Sequence, residues 1–162
     1  MATENTTVKL SLRKSYLENY LRFIFDTKQG PIPIVRTEAL GKYIFSRIRY
    51  SETPIHTAHE GHQVEITLPK SGSFTTQNHF PYFTAEDMLF INDFIVSSSY
   101  LDFRLAVNTG CNDLNMDRKK VISMYSDLIY GEDKYEMLKK DDYRRRQKVT
   151  KWLHESTKAL GY

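Results

Sequence analysis

Residues 8–12 alternate in polarity: Val8, Leu10 and Leu12 fall on one side, with Lys9, Ser11 and Arg13 on the other. A period of two is that of a strand with one wet face. Residues 64–69, VEITLP, repeat the pattern through Val64, Ile66 and Leu68, so the two segments predict a small sheet. Elsewhere the apolar period lengthens to that of a helix. Tyr16, Leu17, Tyr20, Leu21 and Ile24 follow a capping Ser15, and Leu40, Tyr43, Ile44 and Ile48 follow Thr37. Pro31 and Pro33 between them hold the chain extended.

Residues 85–107 are apolar enough for a central buried helix and follow Thr84-x-x-Asp87, a capping signature. Beyond Asp117, a further cap, Val121, Ile122, Tyr125, Leu128 and Ile129 share one helical face until Gly131 ends the helix. Asp133 then caps a last helix that runs towards Leu160 and Gly161. The pattern predicts an α+β fold, helix-dominated, as a single domain over residues 1–162. Its α+β core spans 8–107, its small sheet is made of residues 8–12 and 64–69, and a helix-turn-helix-like segment covers 117–160.

Composition supports a packed core: 40% of the 162 residues are hydrophobic, with 11 Tyr, 9 Phe and 1 Trp. No run approaches a membrane span and no secretory signal is readable, and the single Cys111 fits a reducing compartment. The expected setting is therefore cytoplasmic, with no membrane partner. The net charge of +3 conceals an asymmetry. Residues 1–50 hold 9 Lys/Arg against 4 Asp/Glu, residues 51–133 hold 5 against 12, and residues 134–151 hold 8 against 3. Two basic ends flank an acidic middle, which points to an anionic partner or to contacts between copies.

The basic C-terminal stretch is YEMLKKDDYRRRQKVTK, residues 135–151. As a helix it places Lys140, Arg144, Lys148 and Lys151 on one stripe, with Gln147 beside it. Arg145, Val149, Trp152 and Leu153 lie on another face, and the last three are expected to pack against Tyr125 and Leu128. An amphipathic helix, a glycine turn and a basic helix follow the order of a helix-turn-helix, whose second helix enters the major groove. The candidate DNA contacts are Lys139, Lys140, Arg144, Arg145, Arg146, Lys148 and Lys151. The bland alternative is a solvated terminal helix partly neutralised by Asp141 and Asp142.

The N-terminal strand-helix-helix order resembles ribbon-helix-helix repressors. There, outward strand residues of a dimer touch bases, here Lys9, Ser11 and Arg13. The connector DTKQGPIPIV, residues 26–35, is much longer than that family's turn, and residues 64–69 offer the first strand a partner within the chain. A core sheet edge is therefore the favoured fate of residues 8–12.

His56, His59 and His62 recur every three residues around Glu60, but Gly61 argues against a helix and no second shell is identifiable. The reading is a surface loop without a metal. Gly-rich phosphate loops, nucleophile elbows and HExxH helices are absent, and the middle carboxylates match no calcium loop. No catalysis, cofactor or small-molecule substrate is expected.

Through YEMLKKDDYRRRQK, preceded by VISMYSDLIYGED, the chain resembles small uncharacterised proteins of Bacteroidetes phages and mobile elements. The resemblance covers mainly residues 117–148, more loosely 8–50. It implies a sequence-binding regulator or a phage structural component in a bacterial host cell. The leading expectation is a non-enzymatic regulator or architectural factor that binds double-stranded DNA as a homodimer or higher homo-oligomer. The rival is an assembly or interaction subunit whose basic ends meet the acidic middle of a neighbouring copy.

Overall fold

A computed structural model describes residues 6–57, 60–68, 79–131 and 133–162. The architecture is α+β, 58% helical with a small sheet. The chain divides into two compact units at Tyr100/Leu101, inside one long helix.

The first unit carries the sheet. Strand β1 (Thr7–Leu12) pairs antiparallel with β4 (His62–Thr67), Leu10 opposite Val64 and Val8 opposite Ile66. The short β2 (Ile32–Pro33) adds to the far side of β4 in parallel, giving the order β1-β4-β2. Pro33 occupies a sheet edge, where its missing N–H costs no ladder bond. The pairing of the two alternating segments is the one their pattern predicts; Pro69 lies outside the described residues.

Helix α1 (Tyr16–Ile24) buries Leu17, Tyr20 and Leu21. Helix α2 (Ala39–Ser46) buries Leu40 and Ile44, and is N-capped by Glu38 rather than by the expected Thr37. Strands β3 (Arg49–Ser51) and β5 (Phe80–Tyr82) form a second, two-stranded sheet that the sequence pattern does not announce. Both are three residues long, too short to display a period.

Helix α3 (Ala85–Asn112) starts with the Thr84–Asp87 capping box. Asp87 N–H donates to Thr84 Oγ1 at 3.1 Å and Thr84 N–H to Asp87 Oδ2 at 3.2 Å. Asp87 also accepts from Arg49 Nε at 2.7 Å, which ties β3 to the helix start. Buried Asn92 links β1 to α3: its Nδ2 donates to the Ser11 carbonyl at 2.9 Å, and its Oδ1 accepts from Arg13 N–H at 2.9 Å.

The second unit packs the end of α3, helix α4 (Arg118–Tyr125), a single π-helical turn (Ser126–Tyr130) and α5 (Tyr135–Leu160). Its core is Phe103, Val107, Val121, Ile122, Tyr125, Ile129, Tyr130 and Leu138. The Tyr125 ring sits 5.3 Å from Phe103 and 6.0 Å from Tyr130, and burial pushes its phenol pKa well up. Gly110 lets α4 approach closely, since a Cβ there would stand 2.6 Å from Val121 Cγ2. Asp117 caps α4 as expected, accepting from Lys120 N–H at 3.3 Å.

The π turn corrects one expectation. A uniform α-helix would bury Leu128 with Ile129, but Leu128 is 71% exposed while Ser126, Ile129 and Tyr130 are buried. The wider i→i+5 turn advances the phase, so a serine and a tyrosine take the inward places.

Candidate nucleic-acid interface

Helix α5 carries all seven of the predicted C-terminal contact residues. Its 26 residues, rich in Lys, Arg, Glu and Leu and free of Gly and Pro, favour a continuous helix about 39 Å long. The approach is fixed at four points. Gly131 adopts a left-handed φ of 67°, Lys134 N–H donates to the buried Ser126 Oγ at 2.7 Å, Asp133 Oδ1 accepts from Tyr135 N–H at 3.1 Å, and Leu138 is fully buried. Gly161, at a φ of 74°, closes the other end.

Two adjacent carboxylates anchor the first half of the helix. Asp141 receives Arg104 of α3 in a two-pronged pair at 2.9 and 3.0 Å. Asp142, buried, accepts from Arg118 of α4 at 2.8 Å and from Arg146, one turn on, at 3.0 Å. Planar guanidinium–carboxylate pairs of this kind fix orientation as well as charge. Neither acid neutralises the basic stripe, because each is engaged with an arginine outside it.

Lys140, Arg144, Lys148 and Lys151 are all exposed, on one side of α5. No carboxylate among the described residues pairs with Lys140, Arg144, Arg145 or Lys148. Lys151 reaches Glu155 only at 3.9 Å, and Lys139 reaches Glu136 at 3.7 Å, both well exposed. Exposed pairs of this length are worth little and yield readily to a better anion. Arg146 is different, since part of its charge is committed to Asp142. Glu136, Lys139, Lys140, Tyr143, Arg144 and Arg146 line a shallow depression of about 330 Å³, with the Tyr143 ring among four cations. Such a surface attracts phosphates and offers one aromatic face for stacking.

The opposite side of α5 departs from expectation. Val149, Trp152 and Leu153 do not pack against Tyr125 and Leu128; all three are exposed, as are Leu160 and Tyr162. Beyond Asp142 no residue of the helix is buried. Among the described residues nothing buries the second half of α5, although Val149 and Thr150 border α3.

The N-terminal candidates do not all stand on the surface: Lys9 and Arg13 are exposed and Ser11 is not. Ser11 is buried with its hydroxyl donating to the Glu60 carbonyl, and Arg13 is ion-paired with Asp93. Lys9 is exposed opposite Glu65. β1 finds a partner in β4 of its own chain, as the alternation of residues 64–69 predicts. Loop residue 60 folds over the polar side of β1 and removes Ser11 from solvent, which simple alternation does not foresee.

His56 and His62 lie in different surroundings. His62 is in β4 with Nε2 against Glu18, and that contact with Arg22 holds the Glu18 carboxyl below its ordinary range against the opposing effect of burial. His56 lines a separate cavity with Lys9, Glu65 and Tyr82, and His59 lies outside the described residues. Among the described residues there is no cluster of three or more metal-ligating side chains. No helix among them is long and apolar enough to cross a membrane.

No family model, curated protein or solved structure matches this chain.

Proposed function

We propose that this protein binds double-stranded DNA, without catalysis, through the exposed basic face of α5. In this reading it acts as a regulator or architectural factor of a phage or mobile element inside a bacterial cell. One observation carries the proposal: Lys140, Arg144, Lys148 and Lys151 stand together on the solvent side of one helix, and the neighbouring acids turn inward to other partners. The helix is narrow enough to enter a major groove about 12 Å wide, with the cations meeting phosphates on its walls. Arg145, Arg146 and Lys139 extend the positive field on the flanks.

The physics gives a specific signature. About four phosphate contacts per chain release counterions, so the logarithm of the binding constant falls with the logarithm of salt with a slope near −3.5. Titrating a random-sequence duplex with the full chain over a salt series tests this. No measurable duplex binding at low salt rejects the reading and favours an assembly subunit.

A further inference from the structure

Four large apolar side chains of α5, Val149, Trp152, Leu153 and Leu160, are between 44% and 71% exposed. Their spacing places them on the side of the helix that bears the buried Leu138 and Asp142, about two to five turns beyond Asp142. The helix thus carries its core-facing side past the end of its own support. Val149 also lines a groove of about 450 Å³ with Leu105 and Val107 of α3, which Arg104, Arg118, Arg145 and Arg146 line too, and Leu105 and Leu101, at i and i−4, are each 62% exposed. Apolar side chains gathered on one helix face and its adjoining groove go beyond the singly scattered hydrophobic residues that are ordinary on a monomer surface.

We infer that this surface is where a second copy of the chain docks, through antiparallel packing of the two α5 helices against each other and against the α3 groove. Self-complementarity selects the occupant and the direction. Setting Val149 of one copy against Trp152 of the other places Arg145 opposite the small Ser156, and brings Lys148 within reach of Glu155 twice by symmetry. A parallel pair would instead stack Arg145 on Arg145. The stripe is three positions wide, counting Leu153 and Leu160, which suits a groove between two helices better than a single facing helix. Lys140, Arg144 and Lys151 stay turned outwards, while Lys148 borders the seam. The inference goes beyond DNA binding, and the two fail separately, because mass and tryptophan emission are read without nucleic acid.

Trp152 is the only tryptophan, so it reports directly on this surface. The full chain is measured by sedimentation and by fluorescence from low micromolar to several hundred micromolar, alongside a Val149→Glu/Leu153→Glu variant with its helicity checked by circular dichroism. The expected result is a doubling of the 19.0 kDa mass with a parallel blue shift of emission, both lost in the folded variant. A 19.0 kDa species at every concentration overturns the inference, as does a dimer whose emission does not move or whose formation survives the double substitution. A monomer whose emission shifts only with phosphatidylserine-containing vesicles overturns it in favour of a lipid surface.

Discussion

Arg118 Nη1 donates to Asp142 Oδ1 at 2.8 Å across 24 positions of chain, joining the first turn of α4 to the second turn of α5. Asp142 is buried and shares its other oxygen with Arg146, whereas Arg118 keeps about a third of its side-chain exposure. The partial exposure of the arginines sets the expected energy. Removing one partner of a fully buried pair costs roughly 3–5 kcal/mol, but water reaches Arg118 and Arg146 here, so Asp142→Ala is expected to cost about 1–3 kcal/mol. Urea unfolding checks it, and Asp142→Asn should lose less because the amide oxygen still accepts one bond. A midpoint unchanged in Asp142→Ala would show that the Arg118–Asp142–Arg146 contacts do not hold α5 in place.

The π turn yields a contrast between neighbours. Ile129 is buried and Leu128 is 71% exposed. Ile129→Ala is expected to destabilise by about 2–4 kcal/mol, and Leu128→Ala to stay within about 0.5 kcal/mol. Comparable losses from both substitutions would mean that residues 126–130 keep the α phase in solution.

Periodicity made the first sheet readable, because β1 and β4 each have six residues, enough to display alternation, and each has one buried side. The caps of α3 and α4 were legible for a similar reason, since Thr84, Asp87 and Asp117 act on N–H groups within three residues, whereas Glu38 takes the place expected of Thr37 and Ser15 makes no side-chain cap bond. What failed to show depends on distant chain. Ser11 is covered by residue 60, Arg13 is paired with Asp93, and the phase slip that turns Leu128 outwards follows from a change of turn type that no residue pattern marks. In α5 the basic stripe was read correctly as solvent-facing. The roles of Asp141 and Asp142 were not, since their arginine partners lie 37 and 24 residues away. The packing expected of Val149, Trp152 and Leu153 on Tyr125 and Leu128 does not occur, and no described residue buries them.

Asp87 provides a pH test in the first unit. The hydrogen bond from Arg49 holds its carboxyl below the ordinary range, reinforced by Thr84 and resisted by burial. A depressed folded pKa means the unfolded chain takes up the proton first. The stabilisation is therefore complete above the unfolded value of about 4 and is lost as pH falls through the folded one. Asp87→Asn should lower stability near neutral pH and weaken the acid-induced loss below about pH 4. Parallel stability–pH curves for the two proteins would remove Asp87 from the acid transition.

Arg144 and Lys148 separate the basic face from everything that holds α5 in place. Both are exposed, and no carboxylate among the described residues pairs with either, so Ala at both positions removes charge without breaking an ion pair within the chain. Alanine is also the better helix former, so helicity and unfolding midpoint should be unchanged or slightly raised. Two fewer phosphate contacts should flatten the salt slope by about two per chain, from near −3.5 to near −1.5, with the greatest affinity loss at low salt. Arg146→Ala serves as the contrast: it gives up the bond to Asp142, so it should lower stability together with affinity. If the folded double variant binds duplex with the wild-type slope, DNA is not held by this face of α5. If it binds weakly with its slope flattened as expected while Arg146→Ala mainly loses stability, the outward cations and the anchoring ones have been told apart.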